Sequence, residues 1–217
     1  MDDKTLIARR VAQELRPGYL VNLGIGLPTM VASHVSPDAH IFFQSENGII
    51  GMQAVPEEGL ESEDLTDAAG RPISALPGAA VFDSAISFGL IRGGHLDVTV
   101  LGGLQVDRHG RLANWMVPGS MVPGMGGAMD LVTGARRVIV AMTHAAKGEP
   151  KIVEECTLPL TSVRRVDLIV TEMAVLEPVE GGLLLKELAP GLDIDTVQRA
   201  TATKLIVKGD VPQMRLS

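Results

Sequence analysis

Two short apolar runs near the start of the chain are each followed directly by residues that turn the backbone. Residues 19–23 form a predicted buried strand, and the turn Gly24-Ile25-Gly26 leads into a helix that begins near Pro28 and ends near residue 34. Residues 41–44 form the next predicted strand. Strands connected through helices in this way are parallel. The pattern predicts an α/β fold, a mostly parallel sheet with helices on both faces.

The remainder of the chain continues to alternate strands and helices, without a linker or an internal repeat. Glycine turns at residue 110 and at 181–182 predict additional β-hairpins. We expect a single domain over residues 1–217. Further helices are predicted over residues 2–15 (capped by Asp2 or Asp3), 83–91, 128–134 and 192–200 (capped by Asp193 or Asp195), and further strands over 98–101, 138–142 and 166–170.

Composition excludes several classes of partner. The net charge of −7 disfavours a nucleic acid, which is bound through clustered Lys and Arg. No apolar run reaches about 18 residues and no secretory signal opens the chain, so we expect no membrane association and a cytoplasmic location. The single Cys156 cannot form an intramolecular disulfide. Acidic residues crowd the segment 56–71, which we predict to be a solvated surface excursion.

Glu46 lies at the end of the second predicted strand, in the segment Gln44-Ser45-Glu46-Asn47-Gly48. Asn and Gly tolerate positive φ, so we expect the chain to reverse there and to direct the preceding side chain outward. Parallel α/β sheets bind ligands at the carboxyl ends of their strands. Glu46 is therefore the candidate reacting group, and such a carboxylate can act as base, ligand or covalent nucleophile.

Two glycine-rich segments are further candidates for ligand binding. Asn22 precedes the turn with Gly24 and Gly26, which leads from a strand to a helix whose first backbone N–H groups can face a ligand. Pro28 breaks the spacing of the dinucleotide-binding fingerprint. The second segment, residues 124–130, also opens a helix, and its glycines permit either close approach of a bulky ligand or tight helix packing.

Other kinds of site lack their motifs. The five histidines show neither H-x-x-x-H nor H-E-x-x-H spacing, so no metal site is expected. A G-x-S-x-G elbow and a P-loop are both missing, which disfavours a hydrolase triad and a nucleotide-phosphate site. Cys156 lies among acidic residues that would raise its pKa and is predicted to be inert. Trp115 is expected to be a packing anchor, and Asp130 to complement a helix dipole.

The order of these motifs resembles the beta subunit of class I (3-oxoacid type) CoA-transferases. The resemblance covers nearly the whole chain, and the flanking runs at 104–107 and 121–123 are most similar to the members that act on acetate, butyrate and acetoacetate. The matching segments are residues 22–29, 45–48, 91–95, 112–115 and 124–131.

The resemblance implies a role for several residues. Glu46 would be the nucleophile that attacks an acyl-CoA thioester, forms an acyl–glutamyl anhydride and then carries CoA as a glutamyl thioester. Gly127 and Ala128 would line the CoA side of the pocket, and Asn22 would lie near the reacting thioester. Together with the first glycine turn, these are the predicted site residues. CoA and acyl-CoA are substrates in such a reaction, so no cofactor is expected.

The resemblance also implies a partner. The chain corresponds to about half of the family's catalytic unit, so we expect an alpha subunit of related fold that completes the CoA site and the oxyanion hole. An alpha2-beta2 heterotetramer is the expected assembly. The acid partner, whether acetate, butyrate, acetoacetate, succinate or 3-oxoadipate, stays open at this point.

Two other interpretations stay open as well. A sugar-phosphate isomerase, or a sugar-phosphate-sensing domain of the same fold type, would use the glycine turns for phosphate and Glu46 as a general base. Such a site needs Lys or Arg close to the turns, and the segments that flank Glu46 lack them. In a non-catalytic assembly subunit, Glu46 would merely occupy a turn.

Overall fold

The computed structural model describes residues 1–53, 55–119 and 126–216. Its α-helices are α1 (Asp3–Ala12), α2 (Ser84–Arg92), α3 (Ala128–Gly134) and α4 (Ile194–Ala200), and its 3₁₀ helices are Leu27–His34 and Pro37–Ala39. The strands are β1 (Leu20–Leu23), β2 (Phe42–Ser45), β3 (Ile49–Met52), β4 (Ala75–Val81), β5 (Val98–Leu101), β6 (Gln105–Asp107), β7 (Leu112–Ala113), β8 (Arg137–Ala141), β9 (Ala145–Ala146), β10 (Glu149–Pro150), β11 (Ile152–Val153), β12 (Leu168–Val170), β13 (Ala174–Val179), β14 (Gly182–Leu188) and β15 (Leu205–Ile206).

A ten-stranded sheet forms the centre of the fold, in the order β15-β14-β13-β12-β8-β5-β1-β2-β3-β4. The neighbours from β12 to β2 are all parallel. Antiparallel hairpins extend the sheet on both sides, with β3 and β4 beyond β2 and with β13 and β14 beyond β12. The predicted mostly parallel sheet with additional hairpins is confirmed.

Helices cover both faces of this sheet. On one face, Ile7 of α1 and Val31 of the first 3₁₀ helix belong to one buried cluster. On the other face, Ile91 of α2, Leu131 of α3 and Val197 of α4 belong to a second buried cluster. Burial of apolar side chains on both faces is what holds a parallel sheet between layers of helices.

The helix boundaries follow the predicted caps. The Asp2 side chain accepts the N–H of Thr5 at 3.0 Å, and the Asp193 side chain accepts the N–H of Thr196 at 2.7 Å, which settles the two alternatives left by the sequence. Helix α1 ends at Ala12, earlier than predicted. The helix predicted after the first glycine turn has 3₁₀ rather than α hydrogen bonding.

The acid-rich segment connects β3 to β4. Glu57, Glu58, Glu61, Glu63 and Asp64 lie on it, and most of their side chains are exposed, as predicted for a solvated excursion. Asp67 is an exception, because it is buried and paired with Arg71 at 2.7 Å. Its carboxylate also accepts the N–H groups of Ala69 and Arg71, so it closes a tight turn.

Over the described part of the chain, no helix combines the length and the apolar character needed to cross a membrane.

Candidate active site

Glu46 occupies the turn of the hairpin between β2 and β3. Gly48 has φ +129°, and a Cβ built there would lie 1.9 Å from the carbonyl oxygen of Phe82. The backbone also closes the turn, because Gly48 N donates to Ser45 O at 3.0 Å and Phe82 N donates to Gly48 O at 2.9 Å. Only glycine fits this position. The predicted chain reversal directly after Glu46 is confirmed.

The residues on either side of Glu46 are held by the acid-rich segment. Ser45 Oγ accepts the N–H of Ala68 at 3.0 Å, and Asn47 Nδ2 donates to the carbonyl oxygen of Thr66 at 2.7 Å. The Asp67 turn lies between these two contacts in sequence. The segment therefore stabilises the backbone that carries Glu46, which the sequence pattern did not indicate.

A buried chain of amides and hydroxyls lies beneath Glu46. Asn22 Nδ2 donates to Glu46 Oε2 at 3.1 Å and to Gln44 Oε1 at 2.8 Å. Gln44 Nε2 donates in turn to Ser87 Oγ at 2.9 Å, and Thr99 Oγ1 lies 3.4 Å from Asn22 Oδ1. We call these five residues the Asn22 network.

Strand register brings this network together. Asn22 on β1 is paired with Gln44 on β2 and with Thr99 on β5. Sequence analysis identified Asn22 and Glu46 but missed Gln44, Thr99 and Ser87. The available signal was a polar residue within each of three apolar strands, where a buried polar group needs a partner.

The second glycine segment reaches Glu46 from α3. A Cβ at Gly127 would lie 3.3 Å from Glu46 Cγ and 3.3 Å from Phe88 Cζ. Gly127 therefore packs directly against the Glu46 side chain, and Ala128 follows it as the first residue of α3. Gly124 and Met125 of the same predicted segment lie outside the described residues.

The first glycine turn contributes differently from its two glycines. Gly24 donates its N–H to the carbonyl oxygen of Val100 at 2.8 Å, and a Cβ there would lie 3.1 Å from the same oxygen. Gly24 thus allows β1 and β5 to approach and has its N–H occupied. Gly26 has φ +92° and, within the described structure, borders open space. Of the two, Gly26 is the one placed to face a ligand.

The charge environment of Glu46 leaves its carboxylate available. Glu46 is half-buried, and in residues 1–53, 55–119 and 126–216 no Lys or Arg forms an ion pair with it. One oxygen accepts the Asn22 amide. A carboxylate that is oriented but not neutralised by a cation can act as a nucleophile or as a base.

Other reactive side chains are engaged elsewhere. Burial, followed by the charge of Asp107, raises the pKa of the Cys156 thiol to about 12, so the predicted inertness has a different main cause from neighbouring acids. Trp115 Nε1 donates to Leu160 O at 3.3 Å, as expected of a packing anchor. Asp130 pairs with Arg92 at 2.7 Å. Groups of three or more potential metal ligands do not occur in the described portion.

Comparisons with known proteins agree with this geometry. The sequence profile of the Coenzyme A transferase family matches residues 4–200. The chain is 56% identical to the beta subunit of the acetate CoA-transferase of Escherichia coli (strain K12), over 99% of each chain. It is 49% identical to one of the two kinds of chain named for the succinyl-CoA:3-ketoacid coenzyme A transferase of Helicobacter pylori (strain ATCC 700392 / 26695), over 93% of this chain and 98% of the relative.

A solved structure supports the fold independently. An acyl-CoA transferase apoenzyme from Escherichia coli O157:H7 superposes with a TM-score of 0.79 at 23% identity, over 99% of this chain. This chain spans 44% of the length of that protein. Sequence and fold lead to one conclusion: the chain belongs to the coenzyme A transferase family.

Proposed function

We propose that this chain is the beta subunit of a CoA-transferase and that Glu46 carries CoA as a covalent thioester during the reaction. The observation that supports this most directly is the placement of Glu46. Its carboxylate is half-buried, accepts one N–H from Asn22 and packs against Gly127, one of the residues expected on the CoA side. A nucleophile held by a rigid turn loses little freedom on reaction.

The proposed reaction runs through two exchanges. A Glu46 oxygen attacks the thioester carbon of acyl-CoA, a C–O bond forms, the C–S bond breaks and CoA leaves as a thiolate. The thiolate then attacks Cδ of Glu46 in the anhydride, which releases the first acid as a carboxylate and leaves a glutamyl-CoA thioester. A second carboxylic acid repeats these steps in reverse. Since one thioester replaces another, the reaction needs neither ATP nor a metal.

Preset donors must stabilise the tetrahedral oxyanion of each step. Removing one such donor typically costs about 2.7–4 kcal/mol of transition-state stabilisation. The Asn22 amide is the side-chain donor that contacts the reacting carboxylate on this chain. Water must be kept out of the site, because it would hydrolyse the anhydride or the thioester.

A companion alpha subunit completes the proposed enzyme. The Escherichia coli and Helicobacter pylori relatives are themselves named as single subunits of larger enzymes, and the acyl-CoA transferase chain of similar fold is more than twice as long as this one. We therefore expect an alpha2-beta2 heterotetramer and no acyl exchange by the isolated chain. Substantial activity of the isolated chain would contradict the requirement for a partner.

The acid pair follows from the names of the relatives only as a range. One relative is named for acetate and another for succinyl-CoA and a 3-ketoacid. We propose a short-chain carboxylic or 3-oxo acid, and a panel of acetate, butyrate, acetoacetate, succinate and 3-oxoadipate with one CoA donor would identify it. The sugar-phosphate alternative is not favoured, since the family is that of CoA-transferases and Glu46 has no cationic neighbour for a phosphate among the described ion pairs.

Trapping the intermediate tests the mechanism. The reconstituted complex is incubated with acyl-CoA, quenched and digested, and the mass of the peptide that contains Glu46 is measured. We expect a mass increase equal to CoA minus water, which Glu46→Gln abolishes and the exposed control Glu58→Gln retains. An active complex with an unmodified Glu46 peptide would rule out the covalent mechanism.

A further inference from the structure

The amide of Asn22 has more acceptors than hydrogens. Nδ2 lies 2.8 Å from Gln44 Oε1, 3.1 Å from Glu46 Oε2 and 3.3 Å from the main-chain oxygen of Gln44. An amide nitrogen carries two hydrogens, so one of these three contacts is always shared. What the Gln44 side chain does with the first hydrogen therefore decides how the second one is placed.

The orientation of the network follows from groups that can only accept. The main-chain oxygen of Gln44 and the carboxylate of Glu46 both accept, so the nitrogen end of Asn22 must face them. Gln44 then presents its oxygen to Asn22, and its own NH₂ group points to Ser87. The hydroxyls of Ser87 and Thr99 terminate the chain at its two ends, because a hydroxyl can donate or accept as its neighbour requires.

All four supporting side chains are withdrawn from water. Asn22, Ser87 and Thr99 have no exposed area, and Gln44 is 1% exposed. A buried amide without a partner is strongly unfavourable, so loss of one member disturbs its neighbours. Water cannot easily replace a missing partner in such a site. The chain therefore transmits position from α2 and β5 to the nucleophile.

We propose that Gln44 and Ser87 are positioning residues for the transferase reaction, which hold the Asn22 amide so that one N–H is aimed at the reacting oxygen of Glu46. This inference rests on the proposed function and deepens it. Gln44 holds the first hydrogen of Asn22, and Ser87 holds Gln44. As Glu46 is acylated, its oxygen loses charge and becomes a weaker acceptor, and the same N–H is then free to bond to the oxyanion that develops beside it.

Single-turnover kinetics of the alpha–beta complex test the proposal. Formation of the CoA adduct on the Glu46 peptide is measured at saturating acyl-CoA for Ser87→Ala and for the control Ser84→Ala, an exposed serine on the same helix. We expect Ser87→Ala to slow adduct formation about 10-fold with little change in KM, since misplacement of a reacting group mainly affects kcat. Equal rates for the two variants would overturn the proposal.

A double substitution separates positioning from general packing. Gln44→Met removes the amide that connects Ser87 to Asn22 and keeps a similar volume. If Ser87 acts through Gln44, adding Ser87→Ala to Gln44→Met slows the reaction no further. Additive losses would mean that Ser87 acts independently and would contradict the proposal.

A readout without catalysis separates this inference from the proposed function. Side-chain amide protons of Asn22 and Gln44 are followed by NMR hydrogen exchange in the folded complex. We expect slow exchange in the wild type and faster exchange of both amides in Ser87→Ala. Unchanged exchange would disprove the positioning chain even if the adduct forms. If exchange responds but the wild type forms no adduct on Glu46, the network is real and the proposed mechanism fails.

Discussion

Two buried polar groups lie at the same edge of the sheet, where parallel strands end, and they differ in one respect. The Asn22 network ends on Glu46, whose carboxylate is half-exposed. The second group, which we call the His144 cluster, consists of His144, Thr171 and Thr201 and ends on itself. Both imidazole nitrogens are occupied, Nδ1 by the Thr171 hydroxyl at 3.0 Å and Nε2 by the Thr201 hydroxyl at 2.9 Å.

The difference separates a structural role from a chemical one. His144 has no exposed area, and burial lowers its pKa to about 4, so the ring is neutral and fully bonded at neutral pH. It has no free lone pair or hydrogen for a substrate. A polar group at a strand end is thus a candidate for chemistry only when its hydrogen-bond chain leaves one reactive atom unoccupied.

Gly48→Ala should break the open network at its turn. The new Cβ would lie 1.9 Å from the Phe82 carbonyl oxygen at a φ of +129°, so we expect a loss of about 3 kcal/mol or more in unfolding free energy. Denaturant unfolding measures it. The control Gly59→Ala also has positive φ (+86°) but meets open space, so the difference reports the clash. Equal stability of the two variants would refute the close approach.

His144→Gln should change the closed cluster in its pH dependence. The unfolded imidazole takes a proton near pH 6.5 and the folded one only near its pKa of about 4. The unfolded state therefore binds more protons in this window, and stability falls as pH falls from about 6.5 to about 4, by about 3 kcal/mol.

The variant lacks this titration, so its unfolding free energy should depend less steeply on pH in that window. Activity per folded complex at pH 7 should be unchanged, in contrast to the Asn22 network. The control is His109→Gln, at an exposed hairpin position. A pH slope identical to that of the wild type would show that His144 does not titrate as described.

Glu46→Asp sharpens the comparison by keeping the charge and shortening the reach. The carboxylate would withdraw by one methylene from Asn22 Nδ2, which now lies 3.1 Å away. We expect kcat to fall about 100-fold, or about 2.7 kcal/mol, with unfolding free energy nearly unchanged. Steady-state assay of the complex measures it, with Glu58→Asp as control. A rate within a few-fold of the wild type would indicate a base or a bystander.

Gly127→Ala is expected to have the smallest effect. A Cβ would lie 3.3 Å from Glu46 Cγ and 3.3 Å from Phe88 Cζ, so the neighbours must shift by a few tenths of an ångström. We expect kcat to fall about 10-fold, which is about 1.4 kcal/mol. Gly89→Ala on α2 meets open space and serves as control. Full activity of Gly127→Ala would place the reacting face of Glu46 away from α3.

Local sequence patterns predicted the elements that local interactions decide. Apolar runs located the central strands, aspartates located the starts of α1, α2 and α4, and Asn47-Gly48 located the turn after Glu46. The choice between α and 3₁₀ hydrogen bonding at residues 27–34 was not visible, because it depends on how this short segment packs against α1.

The network around Glu46 depends on long-range placement. That Asn22 contacts Gln44 and Thr99 follows from β1 lying between β2 and β5, and no local pattern gives a strand order. Ser87 enters the network only because α2 packs on that face. The importance of Gly127 was inferred from family resemblance alone, and its contact with Glu46 needed the packing of α3.

The acid-rich connection between β3 and β4 has two parts with opposite tolerance of change. Its residues 66–71 grip the nucleophile's turn through Asn47 and Ser45, whereas Gly59 and Leu60 protrude into solvent. Insertions at the protruding tip should leave the Glu46 backbone where it is, because the chain is re-anchored before it returns to the sheet. Evolution, or an engineer attaching a label, can lengthen this strap at its tip without touching the chemistry.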